Sequence, residues 1–248
     1  MLPIRYTVRL YRPQVWGAGQ PSRQNATYLP ESKSYFFPAM KRQLTIATVL
    51  LIALTSCETP QALYEQAETL YAARNYEAAV PLYRKAAEGN NTEAQLMLGK
   101  CYDFGYGVKK DLKEAVRWYT LAAQAGNADA QNNLAGCYYS GAGVPVDMKT
   151  AVLWYEKAAA QGSPVAYNNL GLHYLNGQGV PQDRAKAAEY FAIAAKMNDA
   201  NGQYNLGKCY YMGLGVQSDL NQARYWVSKA AAQGHRNASL FMQDNNWQ

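Results

Sequence analysis

Four times, at a strict interval of 36 residues, the chain writes the same loop: YDFGYGVKKD at 102–111, YYSGAGVPVD at 138–147, YLNGQGVPQD at 174–183 and YYMGLGVQSD at 210–219. Leu98, Leu134, Leu170 and Leu206 keep that register without a gap, as do Ala115, Ala151, Ala187 and Ala223, and Trp118, Trp154, Tyr190 and Trp226. A period of this size constrains the fold more than any composition figure. A unit this short cannot bury its own apolar stripe, whereas identical units stacked on one another bury a continuous core.

Inside one unit the spacing predicts two helices. Ala94, Leu98 and Tyr102 recur at i, i+4 and i+8, and Ala115, Trp118, Tyr119, Ala122 and Ala123 follow the i, i+3, i+4, i+7, i+8 pattern of an apolar helix face. The loop between them has a mechanical reading: Gly105 and Gly107 allow the positive φ that stops the first helix, and Asp111 caps the second. Glu114, three residues on, completes a capping box in this reading, as Gln222 does for Asp219, while Thr150 and Lys186 do not fit one. Val108, Val144, Val180 and Val216 follow each Gly-x-Gly and are expected between the helix ends. A phosphate-cradling loop is excluded, because it needs a preceding strand and a third glycine opening the helix, and no copy has either. Gly99, Ala135, Gly171 and Gly207 fall mid-helix, where glycine costs about 1 kcal/mol against alanine, so close helix packing is expected there.

The residues A-x-x-x-LG-x-x-Y-x-x-G-x-GV-x-x-D-x-x-x-A-x-x-WY-x-x-AA-x-x-G resemble the Sel-one-like repeat family, a relative of the tetratricopeptide repeats. The resemblance covers four copies, 92–127, 128–163, 164–199 and 200–236, and implies an all-α, right-handed solenoid whose first helices line a concave groove. The third copy departs from the pattern with Tyr190-Phe191 in place of Trp-Tyr and with Asn198 in place of the closing Gly. Ahead of them, residues 67–91 look like one tetratricopeptide unit, with Pro81 as a departure in its second helix, and 57–66 reads as a linker. Ala238 and Met242 continue the register, so 237–248 is expected to hold a capping helix and tail.

The formal charge of +6 belongs to the N-terminal region rather than to the repeats. Residues 1–39 carry five Arg/Lys and one Glu, Lys41 and Arg42 follow, and 58–248 balance 17 basic against 17 acidic side chains. A neutral body lacks the basic surface a nucleic-acid partner requires. From Met40 the chain reads MKRQLTIATVLLIALTSC: two cations, an apolar run from Leu44 to Leu54, then small residues. That run is shorter than the roughly 20 residues of a membrane-spanning helix. Leu54-Thr55-Ser56-Cys57 resembles the bacterial lipobox, which implies a signal peptide over 40–56 and a lipid on Cys57. Translation is expected to start at Met40, with 1–39 a mis-assigned or disordered leader.

Catalytic chemistry has little support. Cys101, Cys137, His173 and Cys209 are a zinc-type ligand set by composition, but they share one repeat position. Equivalent positions in stacked helices lie roughly 8–10 Å or more apart per step. Neither one metal nor a disulfide, limited to about 7 Å between Cα atoms, fits that spacing. They read as buried fillers. In the cysteine-rich solenoid branch, to which β-lactamase activity is ascribed, a cysteine pair bridges each repeat, and here each copy has at most one. His173 and His235 have no triad or metal spacing around them. No cofactor, metal or small-molecule substrate is expected.

A binding face remains. The register exposes Glu93, Leu96, Lys100 and Asp103, then Asp129, Asn132 and Tyr139, then Asn168 and Leu175, then Asn201, Tyr204, Lys208 and Tyr211. Tyr139, Tyr204, Tyr211, Asn132, Asn168, Lys100 and Lys208 are the candidate contacts to a protein or peptide. Tyr138 and Tyr210 are expected in the core. The aligned Asn133, Asn169 and Asn205 fit a peptide-binding ladder or, as the plainer reading, helix-to-loop structural bonds. The expectation is a non-enzymatic adaptor or scaffold, lipid-anchored in a bacterial envelope at the outer membrane or periplasmic face. The alternatives are an accessory lipoprotein of an outer-membrane assembly machine and a hydrolase of the cysteine-rich type.

Overall fold

The computed structural model describes residues 58–247. Cys57, the apolar run before it and residues 1–39 lie outside the described residues. Eleven α-helices and no strand occur among the described residues: α1 Pro60–Ala72, α2 Tyr76–Glu88, α3 Thr92–Phe104, α4 Leu112–Gln124, α5 Ala128–Ser140, α6 Met148–Ala160, α7 Pro164–Asn176, α8 Arg184–Lys196, α9 Ala200–Met212, α10 Leu220–Ala232 and α11 Arg236–Asp244. Each packs on its sequence neighbours, so the chain is an α-solenoid of antiparallel helix pairs. None of these helices is long and apolar enough to cross a membrane.

Local chemistry sets the element bounds. Asp111, Asp147, Asp183 and Asp219 cap α4, α6, α8 and α10, their carboxylates accepting from backbone N–H groups two or three residues on. The expected capping box does not form. The Asp111 N–H donates to the Tyr102 carbonyl at 2.9 Å, so it needs no acceptor at Glu114, which pairs with Arg117 instead. Asp219 is the same, with its N–H on the Tyr210 carbonyl at 3.0 Å. Between repeats the closing glycines take positive φ, and Asn198 takes it too at 66°, which asparagine tolerates. The departure in the third copy is therefore conformationally neutral.

Part of the segment expected as a linker is helical. Thr59 accepts from the Ala62 N–H and Pro60 occupies the first turn, so α1 begins inside 57–66. The first pair also differs from the rest in its connection: Ala73–Asn75 joins α1 to α2, whereas residues 105–111 join α3 to α4. Pro81 sits within α2 without ending it.

The core runs along the second helices as a row of buried side chains, Tyr83, Tyr119, Tyr155, Phe191 and Val227. Three of them, Tyr119, Phe191 and Val227, are met by a glycine of their first helix, Gly99, Gly171 and Gly207. A Cβ on Gly99 would come within 2.6 Å of the Tyr119 ring, and one on Gly171 within 2.5 Å of the Phe191 ring. Burial of these rings is the compensation for glycine in a helix interior. Val108, Val144, Val180 and Val216 pack against the adjoining clusters, as expected.

Gly143 explains the repeated loop. Its φ is 79°, and an added Cβ would run into the backbone carbonyl of Leu112, the first residue of α4 in the preceding repeat. Gly107, Gly179 and Gly215 sit the same way on Tyr76, Met148 and Arg184. The second glycine of each Gly-x-Gly is thus the place where one repeat's loop seats on the helix start of the repeat before it.

Candidate functional site

The first helices α3, α5, α7 and α9, followed by α11, share one face, and side chains tie α5 to α7, α7 to α9 and α9 to the end of α11. Asn169 donates to Asn132 at 3.3 Å, Asn205 donates to Asn168 at 2.8 Å, and the Tyr211 hydroxyl donates to Asn245 at 2.9 Å. Asn169 and Asn205 are therefore structural, but their partners lie on the preceding first helix, not in the loop as expected. Burial corrects two further expectations. Asn168 is only 6% exposed and committed to Asn205, and Leu96 is likewise buried, so neither presents an open contact.

The remaining candidates lie on this face with unequal freedom. Tyr139 is exposed at 43%. Lys100 and Asn132 are half-buried. Tyr204 packs on His235 and Phe241, and Tyr211, still 37% exposed, meets Phe241 and Trp247 edge-on at 5.1 and 5.8 Å. Lys208 lies 5.6 Å from the Tyr204 ring centroid. Tyr138 and Tyr210, expected in the core, are half-buried and pack against it from the side.

A second set of ties went unforeseen. Gln95, Gln131 and Gln203 are buried, and each donates to a carbonyl in the last turn of the preceding second helix, Ala87, Ala123 and Ala195 at 3.2, 3.1 and 3.4 Å. Gln161 and Gln233 in turn donate to Gln131 and Gln203, both at 2.8 Å. The recurrence of glutamine every 36 residues, interrupted by Tyr167, was the visible signal.

Cys101, Cys137 and Cys209 are buried and in no disulfide, and His173 is buried beside them in register. Burial, with a smaller push from the Glu68 carboxylate, raises the Cys101 thiol to about 12. Burial raises Cys137 and Cys209 to about 11. Such thiols are poor nucleophiles at neutral pH.

One pocket interrupts the face between α5 and α7. Tyr139, Tyr155, Asn169, Leu172, His173 and Gln178 line a cavity of about 130 Å³. Next to it, on the other side of Tyr155, a more polar cleft is bordered by Asp103, Asn132, Asn133 and Ser140.

A model of the Sel1 repeat matches residues 63–91, 92–127, 128–163, 164–199 and 200–235. It thus takes the tetratricopeptide-like first pair as a fifth copy. Among solved structures, a Sel1 repeat protein from Oxalobacter formigenes is 32% identical, with 81% of each chain covered and a TM-score of 0.72. The antigen c5321, described as protective and present in uropathogenic Escherichia coli strains, is 37% identical over 72% of this chain and 39% of its own, with a TM-score of 0.67. This chain therefore spans about two fifths of that protein's structure. The immunity protein Pa5087 from Pseudomonas aeruginosa, 24% identical over 74% of this chain and 69% of its own, has the same fold at a TM-score of 0.52. No sequence among the curated proteins matches. Proteins built from this repeat are generally protein-interaction scaffolds.

Proposed function

Because the chain belongs to the Sel1 repeat family, we propose that it is a protein-binding adaptor, held at a bacterial cell envelope by lipid on Cys57, with the first-helix face as its contact surface. One observation carries this reading. The positions that repeat in every copy are spent on packing, caps and ties between repeats, while the first-helix face changes from copy to copy and leaves Tyr139 exposed. Aromatic side chains presented in this way commonly carry a large share of binding energy. The envelope placement rests on the lipobox-like Leu54–Cys57 and agrees with the description of the E. coli relative as a protective antigen.

Two experiments test the two halves of the proposal. Wild-type protein expressed in a bacterium partitions with membranes and incorporates labelled fatty acid, and Cys57→Ala leaves an unlabelled precursor; label retained on Cys57→Ala refutes the anchor. A photo-crosslinker placed at 139 captures a partner, which is then purified for a direct affinity measurement. Tyr139→Ala weakens that affinity by about tenfold or more, a typical hot-spot effect. An unchanged affinity refutes the assignment of the face.

A further inference from the structure

The pocket beside Tyr139 lies where the third copy breaks the repeat pattern at its first helix. At the position of Cys101, Cys137 and Cys209 it has His173. The His173 Nδ1 lies 2.7 Å from the Gln178 backbone carbonyl, which can only accept, so Nδ1 carries a proton and the neutral ring leaves Nε2 as an acceptor. No group among the described residues donates to Nε2. Trp118 Nε1 is the buried side-chain polar atom left without a partner among those residues, so His173 Nε2 keeps a solvent-facing edge, at the pocket that His173 lines.

Tyr155 shows a second break. In the two preceding copies the equivalent hydroxyl has a carboxylate partner: Tyr83 donates to Glu68 and Tyr119 to Asp103, at 2.5 and 3.3 Å. The residue equivalent to Asp103 in the next copy is Tyr139, so the Tyr155 hydroxyl has no partner among the described residues. It too is absent from the buried unpartnered atoms and opens onto the first-helix face. The pocket is therefore an apolar cup with an acceptor nitrogen in its wall and a free hydroxyl at its side.

Size and lining restrict the occupant. About 130 Å³ is close to the engineered cavity of about 150 Å³ that takes up benzene, and well below the 300–1,000 Å³ of ordinary ligand sites. The walls are two tyrosine rings, an imidazole edge-on to Tyr139 at 5.4 Å, and Leu172, with Asn169 and Gln178 completing the lining. Such walls favour one aromatic ring over an aliphatic chain. No Lys, Arg, Asp or Glu lines the cavity, so a charged group would find no counter-charge. A hydroxyl can donate, which matches the acceptor His173 Nε2. We propose that this pocket receives the phenol side chain of a tyrosine on the partner protein, its hydroxyl donating to His173 Nε2. The biological source of the ring rests on the adaptor reading; the capture of a phenol does not.

The full chain is titrated with phenol, with benzene, and with the blocked peptides Ala-Ala-Tyr-Ala-Ala and Ala-Ala-Phe-Ala-Ala, while the imidazole nitrogen signals are followed by NMR. Only His173 and His235 contribute, so His173→Cys assigns them. Phenol shifts the His173 signals saturably, leaves those of His235 in place, and binds about five- to tenfold more tightly than benzene, the worth of one hydrogen bond. The tyrosine peptide outbinds the phenylalanine peptide by a similar factor. His173→Cys restores the residue that three other copies carry, so it keeps the melting midpoint, retains the solenoid and loses the preference for phenol, read by Tyr ring resonances. Equal affinity for phenol and benzene, a preference that survives in His173→Cys, or phenol binding without tyrosine-peptide binding overturns the proposal. The adaptor reading fails separately, through an unchanged partner affinity in Tyr139→Ala, whatever phenol does.

Discussion

The loops at 105–111, 141–147, 177–183 and 213–219 and the first-helix face are read from the same repeats but obey opposite rules. Every loop keeps its two positive-φ glycines, its packed valine and its capping aspartate, because each loop seats on the backbone of the repeat before it. A backbone contact has no tolerance for a side chain, so these four of the seven loop positions are the same in every copy while the other three vary. The face is different. The position of Asp103 becomes Tyr139, Leu175 and Tyr211, and that of Cys101 becomes His173 once. Repetition marks what the solenoid needs to stack, and departures mark where one copy has been released for another task.

Substitutions of matched residues on the two sides sharpen that contrast. The largest effect is expected in the core row: Tyr119→Ala empties a fully buried ring site facing Gly99 and loses about 4 kcal/mol in chemical denaturation, whereas Tyr139→Ala, on the open face, loses less than about 1 kcal/mol. Similar losses would erase the distinction between scaffold and face. Next come the glycines. Gly143 and Gly126 both have positive φ, but only Gly143 presses on a neighbouring backbone, and nothing lies within 4 Å of a Cβ on Gly126. Gly143→Ala is expected to cost about 3 kcal/mol and Gly126→Ala about 1 kcal/mol, strain alone. Equal costs would show that the seat on Leu112 contributes nothing.

A smaller effect belongs to the ties. Gln131→Ala strands the Gln161 amide and the Ala123 carbonyl and is expected to cost about 1–2 kcal/mol, measured by thermal melting. The smallest is at the cysteines. Cys137→Ala lowers stability by about 1 kcal/mol or less, and chelator leaves the melting curve where it was. In the native state Cys101, Cys137 and Cys209 resist alkylation at neutral pH, since burial holds all three thiols protonated. Rapid native labelling of any of them would contradict the packing described.

Much of this architecture was legible in the sequence, for a physical reason. Helix periodicity, glycine at positive φ and aspartate at an N-cap are short-range effects, and they appear at fixed offsets in one dimension. Features that depend on how one repeat lies on the next were not legible. The Asp111 N–H is diverted to Tyr102 by the path of the loop, which removes the capping box that local spacing suggests. Asn168 is on the first-helix face by periodicity yet buried, because Asn205 of the following first helix crosses over it. The glutamine ties failed to register for the same cause: a buried polar side chain looks like a surface one until its carbonyl partner is known. Tyr204 and Tyr211 give part of their surface to α11 and Trp247, residues beyond the repeating unit whose packing no period announces.

Amide hydrogen exchange of the full chain, with and without the captured partner, tests most directly whether the departures serve binding and the repetitions serve stacking. The account predicts added protection along α5 and α7, where Tyr139 and the His173 pocket lie, with the second helices α4, α6 and α8 unchanged. Protection confined to α4, α6 and α8, around Arg117, Glu156 and Lys157, would contradict it.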